Sequence, residues 1–458
     1  MNIDHIFFKE RQKFYLHFDY PRSSEQIFIY VTNPQNIEKH SFYPFIHFEL
    51  KSQKVKKIYK LVGGKKKAIV KKLEPKIRPI KYSAHIDGHI YAYYAYLLSD
   101  NYEKLLYEKK INNSVLAFRQ FPDSPSNIHF AKNVFDEIKR RQNCSVLCLD
   151  IKSFFDELDH NLLKLAWQNI LGLDKLPNDH YKVFKSITKF AYVHKNEAYQ
   201  TLGLSTNRYY KDLKRLCSGS EFREKIRSNN IIKKHNDHKG IPQGSSISAF
   251  LSNIYMLNFD ENISKKVNNL NGKYYRYCDD ILIICDKKYL LPLLKDVQVF
   301  IKSLKLEIQN KKTKLVEFEN GIRISKDELQ YLGFTYDGNK ILLRDSGLAK
   351  YSHKVMKAIK MSNNHFLKIN KARINRGELP LERNKKHIYR RFSFIGSRNF
   401  ITYAIRAARI MNEPAIKKQV KPHWSKIQQH LAKHEKNNFI YQYSEWSISI
   451  NRKKLNST

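Results

Sequence analysis

No stretch of this chain approaches the roughly 20 consecutive apolar residues that a membrane-spanning helix needs. The first 20 residues, MNIDHIFFKERQKFYLHFDY, are broken by charges and lack the apolar segment of a signal peptide. Cysteine is scarce: five residues, at 144, 148, 217, 278 and 285, with no C-x-x-C pair. An odd, scattered set argues against a disulfide framework and fits a reducing cytoplasm. There is no internal repeat and no long low-complexity linker. Acid is scarce too, with 43 Asp and Glu against 84 Lys and Arg.

That imbalance leaves a net charge of +41 on 458 residues. A compact chain so charged repels itself unless a polyanion neutralises much of the excess. Nucleic acid is the leading partner, because Lys and Arg release counterions from backbone phosphates. An anionic membrane surface is the competing explanation. The basic residues are spread along the chain and not gathered beside one amphipathic helix, which argues against it. With 42% hydrophobic residues the chain is globular, and its length allows two to four lobes.

Roughly the first 60 residues are rich in aromatics and read as a capping element. Residues 51–82 carry 13 Lys and Arg against one acid, Glu74, and read as a basic hairpin. IDGHIYAYYAYLLSDNYEKLL and FAKNVFDEIKRR read as helices, and SVLCLDI (145–151) as a buried strand. Residues 205–239, polar and basic, read as an exposed insertion, and SSISAFLSNIYMLNF (245–259) as one helix. Beyond about 345 the chain reads as basic helices.

In so basic a chain, acids at the ends of apolar strands are the informative ones. Asp150 ends SVLCLD, and Asp279-Asp280 lies between YYRYC and ILIIC. A carboxylate there is partly desolvated and calls for a cation or donors. The pair beside Asp150 makes a hard-oxygen site suited to Mg²⁺. Taken alone, an Asp-Asp pair also suits an ordinary hairpin turn.

LCLDIKSFFDELDHNLL (147–163), GIPQGSSISAFLSNIYMLNFD (240–260) and RYCDDILIIC (276–285) resemble the three central palm motifs of bacterial reverse transcriptases. LEIQNKKTK (306–314) and QYLGF (330–334) resemble the two motifs that follow, the second being the primer grip. The resemblance covers about residues 65–345. It implies an α+β right-hand polymerase with fingers, a palm built on an antiparallel sheet, and a helical thumb. The expected division is 1–60 N-terminal extension, 61–145 fingers, 146–190 palm, 191–239 fingers or insertion, 240–345 palm again, and 346–458 thumb and RNA-binding region.

The resemblance also implies roles. Asp150 and Asp279, with the Ile151 carbonyl, would hold two Mg²⁺ ions, for which Mn²⁺ could substitute; Asp280 would support them. Arg78 would clasp the dNTP triphosphate, helped by Lys71 or Lys72, although that hairpin is also readable as a solvated charged edge. Phe155 would exclude a ribose 2′-hydroxyl, and Gln243 would lie beside the nascent base pair. Gly244 would let backbone approach the template, with Ser245, Ser246, Ser248 and Ala249 keeping the helix face open above Ile247, Phe250, Leu251 and Ile254. Lys312 would act at the leaving group, or is simply solvated. Tyr331, Leu332 and Gly333 would grip the primer. Asp159-His160 reads as a helix cap, and Cys278 as a small buried residue.

The sequence departs from relatives in carrying Cys278 where the turn usually has Ala. It lacks the Asn-Ala-x-x-His and Val-Thr-Gly elements of retron enzymes and a His-Asn-His nuclease extension. What remains is most similar to the defence-associated, abortive-infection-like group, which would use a cognate noncoding RNA template and make a cDNA product. A retron or group II intron-type enzyme, untemplated or protein-primed synthesis, and a non-catalytic RNA-binding scaffold are the alternatives. In the tail, Arg390 and Arg391 with His387, Tyr389, Phe392 and Trp424 could track RNA, or the aromatics could form a thumb core. Oligomeric state is not legible.

Overall fold

The computed structural model describes residues 4–62 and 65–433, with backbone alone for 54–70 and 72. The chain divides into two compact units, each made of two separate segments. One comprises 1–120 and 147–313, the other 121–146 and 314–458. Both mix helices with antiparallel strands, the α+β class expected.

The first unit opens with short helices whose Phe8, Ile27, Val31 and Ile37 are buried. The basic segment is indeed a hairpin of two 18-residue strands, β1 (Phe45–Val62) and β2 (Lys65–Tyr82). Their register slips between Ser52 and Lys54, opposite Pro75, which has no N–H to offer the ladder. A short β4 (Ala191–His194) pairs in parallel with the base of β1, and β5 (Lys233–Lys234) closes the sheet in the order β2-β1-β4-β5. Helix His85–Glu108 packs beside it, its first seven residues buried.

Residues 205–239 depart from expectation only in their anchoring. Leu216, Cys217, Phe222, Ile226 and Ile231 are buried in a cluster with Phe18, Ile46 and Val193. Most of the segment is exposed, as expected, but these few apolar residues are spaced to face one core and anchor it.

The strand that ends in Asp150 is β3 (Cys144–Asp150), in which the chain passes into the first unit. It neighbours β7 (Asp280–Cys285), which forms a hairpin with β6 (Lys273–Tyr277). The helix expected over 245–259 is two helices, Ser248–Tyr255 and Leu257–Asn269. At Met256 the backbone N–H turns to Asn253 at 3.1 Å, tightening the turn and ending the first helix.

In the second unit, helix Asn127–Arg141 buries Ile128, Phe130, Ala131, Val134, Phe135 and Ile138. A hairpin of β8 (Lys314–Glu319) and β9 (Ile322–Arg323) precedes a three-stranded meander of β10 (Leu329–Tyr331), β11 (Phe334–Tyr336) and β12 (Ile341–Leu343). Phe135 meets Tyr336 with ring centres 5.1 Å apart. Helices follow from Asp345, as the sequence predicts; Val355, Ile359, Ile388, Phe392, Ile427 and Leu431 form their core. Among the described residues no helix is long and apolar enough to cross a membrane.

Candidate active site

Asp150 and Asp279 meet although 129 positions separate them. The Ile151 N–H donates to the Asp279 carbonyl at 3.2 Å, and the Gln309 N–H donates to the Asp150 carbonyl at 2.8 Å. Asp279 sits in a two-residue turn, Cys278-Asp279, closed by the pairing of Tyr277 with Asp280. Cys278 holds φ at 59°, a region few L residues adopt. Its thiol is buried and pushed up to about 12, first by desolvation and then by the Asp279 charge, so it stays neutral, as a small packing residue should. Asp280 is exposed.

Two lysines approach the aspartates. Lys312 Nζ lies 2.6 Å from Asp150 Oδ1. Lys76, on β2, has its ammonium pKa lowered by burial and by neighbouring Arg78 and Lys312, while Asp150 and Asp279 oppose the shift. Lys76 is thus within electrostatic reach of Arg78, of Lys312 and of both acids, and Lys312 pairs with Asp150. Arg78 is exposed. The Lys72 side chain lies outside the described residues.

A second group forms where the 238–244 loop is stitched onto residues 155–160. Ile241 N–H donates to Phe155 O at 2.9 Å, Gly240 N–H to Leu158 O at 2.8 Å, and His160 N–H to His238 O at 2.9 Å. Phe155 is half-buried, while its neighbour Phe154 fills the core. Gln243 Nε2 reaches both Asp156 oxygens at 3.3 and 3.2 Å, and Gln243 O accepts from Lys81 N–H at 2.8 Å. Asp159 caps helix His160–Leu171 through the N–H groups of Asn161 and Leu162, as expected.

Residues 103–336 match the family described as reverse transcriptase (RNA-dependent DNA polymerase). The chain belongs to the reverse transcriptase family. No curated protein matches it. Among solved structures, apo telomerase from Candida tropicalis truncated from its C-terminal domain is 14% identical, with a TM-score of 0.37 over 65% of this chain and 57% of that one. Telomerase from Candida albicans, in complex with the TWJ fragment of telomeric RNA, is 12% identical, with a TM-score of 0.36 over 74% of this chain and 56% of that one. The chain therefore spans little more than half the length of either. Likeness of this degree assigns no telomeric role.

Reverse transcriptases generally use divalent metal ions. Among the described residues of this reverse transcriptase, no group of three or more His, Cys, Asp or Glu side chains gathers as a metal cage. Two carboxylates at a strand end and a tight turn nevertheless fit Mg²⁺, which keeps several waters and takes further oxygens from substrate phosphates. The Asp150 carboxylate already sits against one cation, the Lys312 ammonium.

One expectation around the Pro242-Gln243-Gly244 turn needs correction, that of the open serine face. Gly244 is exposed and also lies close to protein: at φ +112°, an added Cβ would lie 2.8 Å from the Lys81 carbonyl oxygen. Ser245 and Ser248 do not line an open face, because both are buried, Ser248 donating to Pro242 O at 2.7 Å. Ile247, Phe250, Leu251 and Ile254 are buried as expected.

The sequence reading missed what lies beneath the turn. Arg276 and Asp260 are both fully buried and form a two-pronged pair, Nε to Oδ1 and Nη2 to Oδ2, each 2.6 Å. Tyr274 donates to Asp260 at 2.6 Å, and Arg276 Nη1 donates to Asn253 Oδ1 at 3.2 Å and to Cys278 O at 3.1 Å. Burial opposes the Arg276 charge, and Asp260 more than restores it, raising its pKa. The available signal was an arginine at an inward position of an apolar strand, two residues from Tyr274.

In the second unit, Leu332 and Gly333 form the turn between β10 and β11, both at positive φ, and Asn127 Nδ2 donates to Leu332 O at 2.9 Å. Gly333 is exposed, and Tyr331 is buried. Arg390, Arg391 and His387 are exposed. Tyr389, Phe392 and Trp424 instead serve the helical lobe: Phe392 is a core residue, and Tyr389 and Trp424 pair at 5.1 Å.

Proposed function

We propose that this reverse transcriptase is an RNA-directed DNA polymerase that adds dNTPs to a 3′-hydroxyl by two-metal phosphoryl transfer. The observation that carries the reading is the meeting of Asp150 and Asp279 at the Ile151–Asp279 hydrogen bond, with Lys312 paired to Asp150 and Lys76 within electrostatic reach of both acids. Asp150, Asp279 and the Ile151 carbonyl would hold Mg²⁺. When bound, the ions neutralise phosphate charge and lower the pKa of the attacking hydroxyl. Asp280, exposed beside them, adds negative potential. Arg78 and Lys76 orient the triphosphate, Arg78 by its planar donors. Lys312 exchanges Asp150 for the leaving pyrophosphate. Phe155 borders the sugar, and Gln243, fixed by Asp156 and Lys81, borders the base pair. In the other unit, the Leu332-Gly333 turn meets the primer, and Arg390 and Arg391 meet RNA phosphates.

The test is primer extension on an RNA template by the full chain, beside Asp150→Asn and Asp279→Asn. Each variant should lose about 10³-fold in rate while keeping its unfolding midpoint. Extension by folded Asp279→Asn at the parental rate would sink the assignment.

The finer reading is a bacterial, defence-associated enzyme in the cytoplasm, copying a cognate noncoding RNA into cDNA. Its support is the set of motif departures in the sequence. Sequencing RNA and DNA co-purified from cells that carry the native flanking DNA tests it, with and without phage. One abundant cDNA complementary to a flanking RNA is expected; a branched RNA–DNA product would move the enzyme to the retron group.

A further inference from the structure

The buried ion pair beneath the catalytic turn has no part in the chemistry described above, yet one of its donors ends on that turn. Removing both charges of such a pair for well-packed apolar groups is often neutral or stabilising, so stability alone does not explain it. What it offers is geometry. The Arg276 guanidinium is clamped by Asp260 through two 2.6 Å bonds, which leaves Nη1 aimed at Cys278 O and Asn253 Oδ1. Each anchor is itself fixed. Asn253 Nδ2 donates to Ala117 O at 2.8 Å, and Tyr274 donates to Asp260. The Arg276 backbone is held through both its polar groups by one segment, its N–H donating to Ser114 O at 2.8 Å and its carbonyl accepting from Leu116 N–H at 2.9 Å.

The Cys278 carbonyl belongs to the central peptide of the two-residue turn. Two turn types share a positive φ at the first central residue and differ by a flip of that peptide. In one, the second central residue also has positive φ, as Leu332-Gly333 does. In the other it does not, and Asp279 does not. The second form ordinarily asks for glycine at the first position, where this chain has Cys278. The Arg276 hydrogen bond to Cys278 O exists only with the carbonyl turned inward, so it selects this form.

We infer that Arg276, clamped by Asp260, is a positioning residue that locks the Cys278–Asp279 peptide in one of two turn forms and thereby sets the direction of the Asp279 carboxylate. The inference rests on the reading of Asp279 as a metal-holding group. A flipped peptide swings Asp279 while leaving nucleotide and RNA contacts in place, so the loss falls on turnover. It also falls hardest with Mg²⁺, which demands near-ideal geometry, and less with Mn²⁺.

Two variants test this in the full chain. Arg276→Lys keeps the charge opposite Asp260 but cannot fork to Cys278 O as well. Arg276→Met with Asp260→Leu removes both charges and leaves none buried alone. The expected result is folded protein with unchanged RNA affinity, KM for dNTP within about twofold, kcat down about 10²-fold in Mg²⁺, and a raised Mn²⁺-to-Mg²⁺ activity ratio. Either folded variant with parental kcat and metal ratio would overturn the inference. So would failure of both to fold, since the pair would then serve the fold alone. Asp279→Asn run in parallel keeps the two readings apart: if it is fully active, the metal-site reading fails; if it is inactive while Arg276→Lys is normal, only the positioning role fails.

Discussion

Gly244→Ala is expected to be among the costliest single-methyl additions in the first unit, and the geometry says by how much. At φ +112° the backbone occupies a region essentially reserved for glycine, which costs an alanine about 1–3 kcal/mol. The new Cβ would also lie 2.8 Å from Lys81 O and 3.1 Å from Ile80 Cγ2. Lys81 cannot retreat freely, because its N–H holds Gln243 O at 2.8 Å. Relieving such overlap costs about another 1–3 kcal/mol, for a total of about 2–6 kcal/mol. Gly172→Ala is the control. Its φ is +66°, it has nothing within 4 Å of the added carbon, and it should cost only about 1–2 kcal/mol. Urea unfolding, followed by the fluorescence of Trp167 buried in the same unit, measures both. Folded Gly244→Ala should also show a raised KM for dNTP, since relief of the clash moves Gln243. A Gly244→Ala cost no greater than that of Gly172→Ala would refute the argument from Lys81.

Other outcomes follow from single contacts. His85 Nδ1 lies 2.7 Å from Asp19 Oδ1 and Nε2 lies 2.8 Å from Tyr15 O, so the ring faces two acceptors and must donate from both nitrogens. Burial works against its protonation, but Asp19 wins and raises the His85 pKa, while Asp19 itself is lowered. Stability from His85 is therefore complete below about pH 6.5 and lost as pH rises through the raised value; that from Asp19 is lost below about pH 4. The unfolding midpoint of the parent should fall from pH 6 to 9, and that of His85→Gln should stay flatter. Phe155→Ala should raise rNTP incorporation relative to dNTP by about tenfold or more, read by paired kcat/KM values; unchanged discrimination would place the sugar elsewhere. Arg390→Glu with Arg391→Glu should weaken RNA binding and reduce its log–log salt slope by about 1.4 for two single-strand phosphate contacts. An unchanged slope would move the RNA-binding surface off this helix.

The parts of the fold and site legible in the sequence are those written locally. An apolar run ending in Asp150, an Asp-Asp between two apolar strands, and Pro-Gln-Gly before a helix each announce an element and its end within about ten residues. What escaped depends on partners far along the chain. Arg276 is one of 84 basic residues, and only its bonds to Asp260 and Asn253 separate it from a solvated charge. Nothing local to Gly244 reveals its close approach to Lys81. Residues 205–239 look exposed because their five core residues are diluted by Lys, Arg and Ser, and the surface they fit comes from Phe18, Ile46 and Val193. Tyr331 carries a motif whose backbone turn is visible in sequence but whose ring direction is not.

The interleaving of the two units governs how this chain is made. Helix Asn127–Arg141 leaves the ribosome with its apolar face complete, but Tyr336, against which Phe135 packs, is encoded almost 200 residues later. At usual synthesis rates that face waits about 10–40 s for its partner, while the whole of 147–313 emerges. Nascent chains arrested between those points should present a sticky helix and recruit holdase chaperones. A shortened protein ending near residue 313 would keep Asp150, Asp279 and Lys312 yet carry that bare surface for good, so the smallest well-behaved version of this enzyme has to retain the second unit.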